Sequence, residues 1–151
     1  MTSADPRPRT VEVAFWCWMA AAALLIVAGV LEMTMVKYRD MRNSLPASVP
    51  DSEVRSLFDT YRTVAIVCAV LGMAIGYFAG RTRGGNKRFR RGTVALSVVG
   101  VVLLLAATVL LRAVTLLAVL AVIPLLVAVV AVTRDSASAW FDAVASGSDG
   151  D

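Results

Sequence analysis

The chain contains no histidine, only two cysteines, and few charges for its length: 17% of its 151 residues are Asp, Glu, Lys or Arg. Each shortage excludes a class of chemistry. Without histidine there is no ordinary general base near neutral pH, and the loops offer only scattered Asp, Glu, Ser and Tyr, so no nucleophile, base and orienter set can be assembled. Cys17 and Cys68 both sit in apolar runs. Two such cysteines make neither a disulfide framework nor, with histidine absent, a metal site. A low-pKa reactive thiol is equally out of place in apolar surroundings. "GRTRGG" (Gly80–Gly85) lacks the lysine and spacing of a phosphate-binding loop. The expectation is a protein that is not an enzyme and carries no cofactor and no metal.

What is present is hydrocarbon. The composition is 58% hydrophobic, against about 45–50% in soluble domains. A soluble chain this short cannot hide that much apolar surface, so long uncharged runs point to lipid as the solvent. Four runs are long enough to cross a bilayer, at residues 11–36, 63–80, 93–111 and 114–133. The first is preceded by Arg7 and Arg9, as in a signal peptide, but it is too long for a signal core and no small-x-small cleavage site follows it. The predicted fold is all-α, an integral membrane four-helix bundle. Residues 1–10 read as a polar tail, and residues 134–151 as a tail amphipathic around Trp140, Phe141 and Val144 before a Ser/Gly/Asp end.

The boundary between the last two spans comes from arginine spacing. Thr93–Val132 contains one charge, Arg112, and as a single helix it would reach about 60 Å, twice the hydrocarbon thickness. Arg91 to Arg112 and Arg112 to Arg134 each span about 31–33 Å as helix, which predicts a hairpin with Arg112 at its tip. Pro124, inside the fourth span, removes one backbone hydrogen bond. Lys37–Pro50 reads as a charged loop, ending with Ser48 and Asp51 at capping-box spacing. Val54, Leu57, Phe58 and Tyr61 then recur at i, i+3, i+4 and i+7, an amphipathic extracytoplasmic helix over 51–62. It either extends the second span or lies on the membrane surface and bends into it.

Charge is concentrated at residues 81–92. Arg81, Arg83, Lys87, Arg88, Arg90 and Arg91 lie there with no acidic residue among them. In a short loop between spans such density marks the cytoplasmic side and contacts anionic headgroups. Nucleic-acid binding is the sharper alternative, but a dozen-residue basic loop between spans is ordinary, so no nucleic acid is expected. Both ends of the chain are then predicted to be cytoplasmic in a bacterial cell membrane. The loop at 37–62, where basic residues are diluted by Asp40, Asp51, Glu53 and Asp59, lies outside.

Two features invite a functional reading. Gly72, Gly76 and Gly80 form a GxxxGxxxG row, preceded by Ala65 and Ala69. Small residues on one face let helices approach closely in lipid, either within the bundle, the reading favoured here, or between copies. Glu32 is an acid inside a span and therefore a candidate ion or proton site. In small multidrug transporters, also short four-helix chains, an acid in the first helix takes the proton and substrate. Glu32 instead lies near the far end of its span, about a turn before Lys37, where snorkelling to the interface is easy. Glu12, in the first turn, suits the positive end of the helix dipole. Phe15, Trp16 and Trp18, then Tyr77 and Phe78, then Trp140 and Phe141, form parts of an interfacial aromatic belt.

Three stretches, "RPRTVEVAFWCW" (Arg7–Trp18), "RRGTVALSVVG" (Arg90–Gly100) and "TRDSASAWF" (Thr133–Phe141), resemble an uncharacterised group of four-span integral membrane proteins of actinobacteria. Where that group has Trp-Ala-Arg after the glycine, this chain has Thr93-Val94-Ala95. The resemblance implies a four-helix membrane protein and carries no activity or functional residue with it. The sequence reading is therefore a scaffold or accessory subunit whose partners are membrane lipids and either further copies of itself or a larger membrane complex. The alternative is a small proton- or ion-coupled transporter, or channel-like oligomer, using Glu32.

Overall fold

The computed structural model describes residues 9–82, 87–111, 116–134, 137, 139 and 140. The expected tip at Arg112, Arg83, the side chain of Lys87 and most of both tails lie outside them. Five helices are present: α1 (Arg9–Met35), α2 (Tyr38–Ser44), α3 (Asp51–Thr82), α4 (Lys87–Leu111) and α5 (Leu116–Thr133). Among the described residues there is no strand. α1, α3, α4 and α5 are each long and apolar enough to cross a membrane. This is the architecture of a multi-pass membrane protein.

The four long helices pack in a ring. α1 touches α3 and α5 along most of its length, while α4 closes the ring by touching α3 and α5 more sparingly. Helices adjacent in sequence are thus adjacent in space, as short connections require. Their ends confirm alternating directions. The start of α1 lies beside the end of α5, the end of α3 beside the start of α4, and the end of α1 beside the early part of α3.

The interior is built largely from small residues. Ala14, Ala21, Ala22 and Ala28 of α1 and Ala118, Ala121 and Ala128 of α5 are buried, with Leu25, Ile75 and Leu125 filling between them. Most large aliphatic side chains, including Val102, Val109, Ile123 and Val130, face outward. In water this would be an inverted surface. In lipid it is expected, because tails solvate leucine and valine as well as a protein core does, and close backbone approach is what remains to be gained.

The open question about residues 51–62 is resolved in favour of one helix. α3 runs 32 residues, about 48 Å, and exceeds a hydrocarbon core of about 30 Å by some 18 Å. The excess is capped by α2, which the sequence reading had taken as loop. Tyr38, Met41 and Leu45 are half-buried on one side of that segment, and the Tyr38 ring packs edge-on against Phe58 with centroids 5.9 Å apart. Arg42 reaches across to Asp51, with Nε 2.9 Å from Oδ1. Val54 is fully buried beneath this cap. The first turn of α3 closes on the Pro50 carbonyl, which accepts from the amides of Glu53 and Val54. Ser48 makes no capping bond among the described residues; the first turn of α3 closes on Pro50, two residues beyond it.

Candidate functional site

At the end of the bundle that carries the basic residues, the interior is polar. Trp18 on α1 donates its indole N–H to the Ser97 hydroxyl on α4 at 3.0 Å, across the diagonal of the ring. Ser97 donates in turn to the Thr93 carbonyl one turn back, at 2.8 Å. The Thr93 hydroxyl lies 2.9 Å from that of Thr82 at the end of α3. Thr82 and Thr93 are also placed to donate to the carbonyls of Phe78 and Phe89, respectively. Each hydroxyl has one proton, so one threonine must donate to the other and release its own carbonyl. Trp18, Thr82, Thr93 and Ser97 are all at most 2% exposed. An unpaired donor at such depth is costly, so these bonds fix the register of α1, α3 and α4.

Aromatic side chains gather around this network. Phe78 packs against Phe89 with ring centroids 5.7 Å apart, and a Cβ at Gly92 would lie 3.2 Å from the Phe78 ring. Arg81 sits 5.7 Å over the Tyr77 ring. Arg81, Arg88 and Arg91 are exposed and Arg90 is half-buried, with Lys87 opening α4. Trp16 is exposed on the outside of α1, whereas Trp18 points inward.

The glycine row divides. A Cβ at Gly72 would lie 2.8 Å from the Ala22 carbonyl oxygen and 2.9 Å from Ile26 Cγ1, so α3 there touches the backbone of α1. At Gly76 the nearest atom, Ala22 Cβ, would be 3.6 Å away, and at Gly80 nothing lies within 4 Å. The tightest approach is one the sequence reading missed. A Cβ at Gly29 would stand 2.5 Å from the Ala65 carbonyl oxygen and 3.0 Å from the Ala69 amide nitrogen. Ala65 and Ala69 thus line the α1–α3 seam opposite Gly29.

At the other end, Glu32 is 8% exposed and lines a cavity of about 140 Å³ with Phe58, Tyr61 and Arg62 of α3 and Met33 and Val36 of its own chain segment. Its depth follows from the helices. Arg62 precedes Thr82 by 20 residues, about 30 Å, so the Glu32 level is one hydrocarbon thickness from the polar network. Glu32 therefore sits at the interface opposite the basic end, not at mid-membrane. Just beyond it, Asp51, Arg55, Asp59 and Thr63, with Ser52, Ser56 and Thr60 beside them, form an open mixed-charge face along the projecting part of α3. Cys68 is buried and Cys17 half-buried, and both are free thiols.

The sequence did hold a signal for the polar network. Thr93, Ser97 and Gly100 recur at i, i+4 and i+7, a stripe of small residues, two of them hydroxylic, that marks the inward face of α4. Gly29 offered less, since it stands alone in an alanine-rich run. No known protein family, curated protein or solved structure matches the chain.

Proposed function

We propose that this chain is a non-enzymatic scaffold or accessory subunit of a complex in the bacterial cell membrane, with both of its ends on the cytoplasmic side. The observation that carries this reading is the folded cap outside the hydrocarbon. α3 extends about 18 Å past the hydrocarbon core, is held by α2, and presents a mixed-charge face along Asp51, Arg55 and Asp59. A chain whose only role was to fill a bilayer would have no use for a rigid projection of this kind. The orientation rests on the arginines and lysine at 81–91, which favour the cytoplasm, and on the diluted charge of 37–62.

The test is co-purification from native membranes of the unaltered chain and of an Arg55→Glu/Asp59→Arg variant. A partner recovered in fixed proportion with the first and lost with the second supports the scaffold reading. A chain that travels alone or only with copies of itself in both cases removes it.

A second reading, a small proton- or ion-coupled transporter, is favoured by the burial of Glu32 in a cavity shared with Tyr61 and Arg62. The interfacial depth of Glu32 weighs against it, since a coupling site is expected near the bilayer midplane. Glu32→Gln in liposomes decides between them. Proton-coupled flux that is present in the unaltered protein and lost in the variant would establish the transporter.

A further inference from the structure

Where the start of α1 meets the end of α5, the two helices leave an apolar groove of about 500 Å³ on the outside of the bundle. Val13 of α1 and Leu126, Val127 and Val130 of α5 form its walls. All four are between 45% and 57% exposed, so the walls are uncovered by the bundle itself. Arg9, at the start of α1, and Arg134, just past the end of α5, line its mouth. Neither forms an ion pair with any described residue; the one such pair among them joins Arg42 and Asp51. Glu12, three residues from Arg9, does not line the groove, and Asp135, next to Arg134 in sequence, lies outside the described residues.

We propose that this groove is a site for one anionic glycerophospholipid, its phosphate held between Arg9 and Arg134 and one acyl chain lying along α5. Three features fit that occupant. Leu126 to Arg134 is eight residues, about 12 Å of helix, so the apolar walls run from headgroup level into the hydrocarbon. Two guanidiniums at one mouth suit a phosphodiester, with which arginine makes paired hydrogen bonds. The mouth also lies at the start of α1, whose positive dipole end favours an anion, while Arg134 offsets the negative end of α5. A zwitterionic lipid would bring its own cation to a place already occupied by two. The site is separate from the basic segment at 81–91, which belongs to α3 and α4.

Native mass spectrometry on the full chain in detergent tests this, with titration by phosphatidylglycerol and, separately, phosphatidylcholine. The expected result is one phosphatidylglycerol retained more strongly than phosphatidylcholine. At about 1 kcal/mol per arginine near an anionic headgroup, Arg9→Gln/Arg134→Gln should weaken that retention about thirty-fold. A control variant at the opposite end of the bundle, Lys37→Gln/Arg39→Gln, should leave it unchanged, and both variants should keep the helical circular dichroism of the parent. Val130→Trp, which fills the groove while both arginines are kept, should also release the lipid. Equal retention of both lipids, or equal loss in the control variant, overturns the proposal. So does a change of oligomeric state on Val130→Trp with lipid retention unaltered, because the groove would then be a contact between copies.

Discussion

A methyl group placed at Gly29 should do more harm than the same group at any glycine of the Gly72–Gly80 row. The Cβ of an alanine there would lie 2.5 Å from the Ala65 carbonyl oxygen, 3.0 Å from the Ala69 amide nitrogen and 3.1 Å from Ala69 Cβ. Comfortable carbon contacts begin near about 3.5 Å, so α1 and α3 must separate by something like 1 Å. Two of the three obstructing atoms are backbone, and a helix backbone cannot turn aside as a side chain can. Overpacking of this kind costs about 1–3 kcal/mol, against which Gly→Ala returns up to about 1 kcal/mol of helix propensity. The net expectation for Gly29→Ala is a loss of about 1–2 kcal/mol. Gly72→Ala follows closely, since the Ala22 carbonyl is immovable although Ile26 can adjust. Gly76→Ala meets only an ordinary contact at 3.6 Å and should be near neutral. Gly80→Ala meets nothing and should gain up to about 1 kcal/mol. Reversible unfolding in mixed micelles, followed by circular dichroism, gives the order, and size-exclusion chromatography in mild detergent reports oligomeric state. If Gly80→Ala or Gly76→Ala proved more damaging than Gly29→Ala, the row would be packing against something outside the bundle, and the α1–α3 seam would not be the principal close approach.

Other outcomes follow from the same packing. Ser97→Ala leaves the buried Trp18 indole N–H without its acceptor; a loss of about 1 kcal/mol is expected, between the low average for interhelical polar bonds in membranes and the cost of a buried unpaired donor. In a double-mutant cycle, Trp18→Phe should cost less in the Ser97→Ala background than in the parent, and strict additivity would mean the bond contributes nothing. Replacing Arg81, Arg88, Arg90 and Arg91 with glutamine should destabilise the orientation of the chain in a reporter-fusion assay. An unchanged reporter pattern would show that those residues do not set topology.

The number of membrane-length helices could be read from sequence because the bilayer imposes their length. A hydrocarbon core of about 30 Å demands about 20 apolar residues, and the spacing from Arg91 through Arg112 to Arg134 divided an unbroken 40-residue run at a point that α4 and α5, ending at Leu111 and starting at Leu116, now bracket. The helix at 51–62 was likewise legible from the spacing of Val54, Phe58 and Tyr61. α2 was not, because its apolar positions, Tyr38 and Met41, with Leu45 at its C-cap, are interleaved with Arg39, Asp40, Arg42 and Asn43 in a helix of only seven residues. Such a helix is made by what it packs on, and Phe58 and Asp51 lie on another element. Gly29 was illegible for a related reason. Its importance depends on the backbone of α3 at Ala65 and Ala69, and no pattern within α1 records that. The row at Gly72, Gly76 and Gly80 drew notice by its regularity, yet only its first member is pressed against a neighbouring backbone.

The two devices that define this bundle are the ones that lipid leaves available. Burying valine or leucine between helices gains little when acyl chains solvate them equally well, and most of these side chains do point outward. α1 is instead bound to α3 by backbone approach at Gly29 and Gly72. α4, which touches its neighbours least, is placed by the Trp18–Ser97 and Thr82–Thr93 hydrogen bonds and by Gly100, where a Cβ would come within 3.0 Å of Leu71 Cδ2. All of these α4 contacts lie in its first four turns. Farther along, α3 and α4 part around an apolar cavity of about 250 Å³ between Val64, Val67 and Cys68 on one side and Leu103, Leu104 and Ala107 on the other. Acyl chains can occupy such an opening at little cost, so nothing in lipid forces it closed. The helix is thus specified at one end by polar contacts and left to the solvent at the other, and its far half should be the least stable of the membrane-spanning segments to local opening.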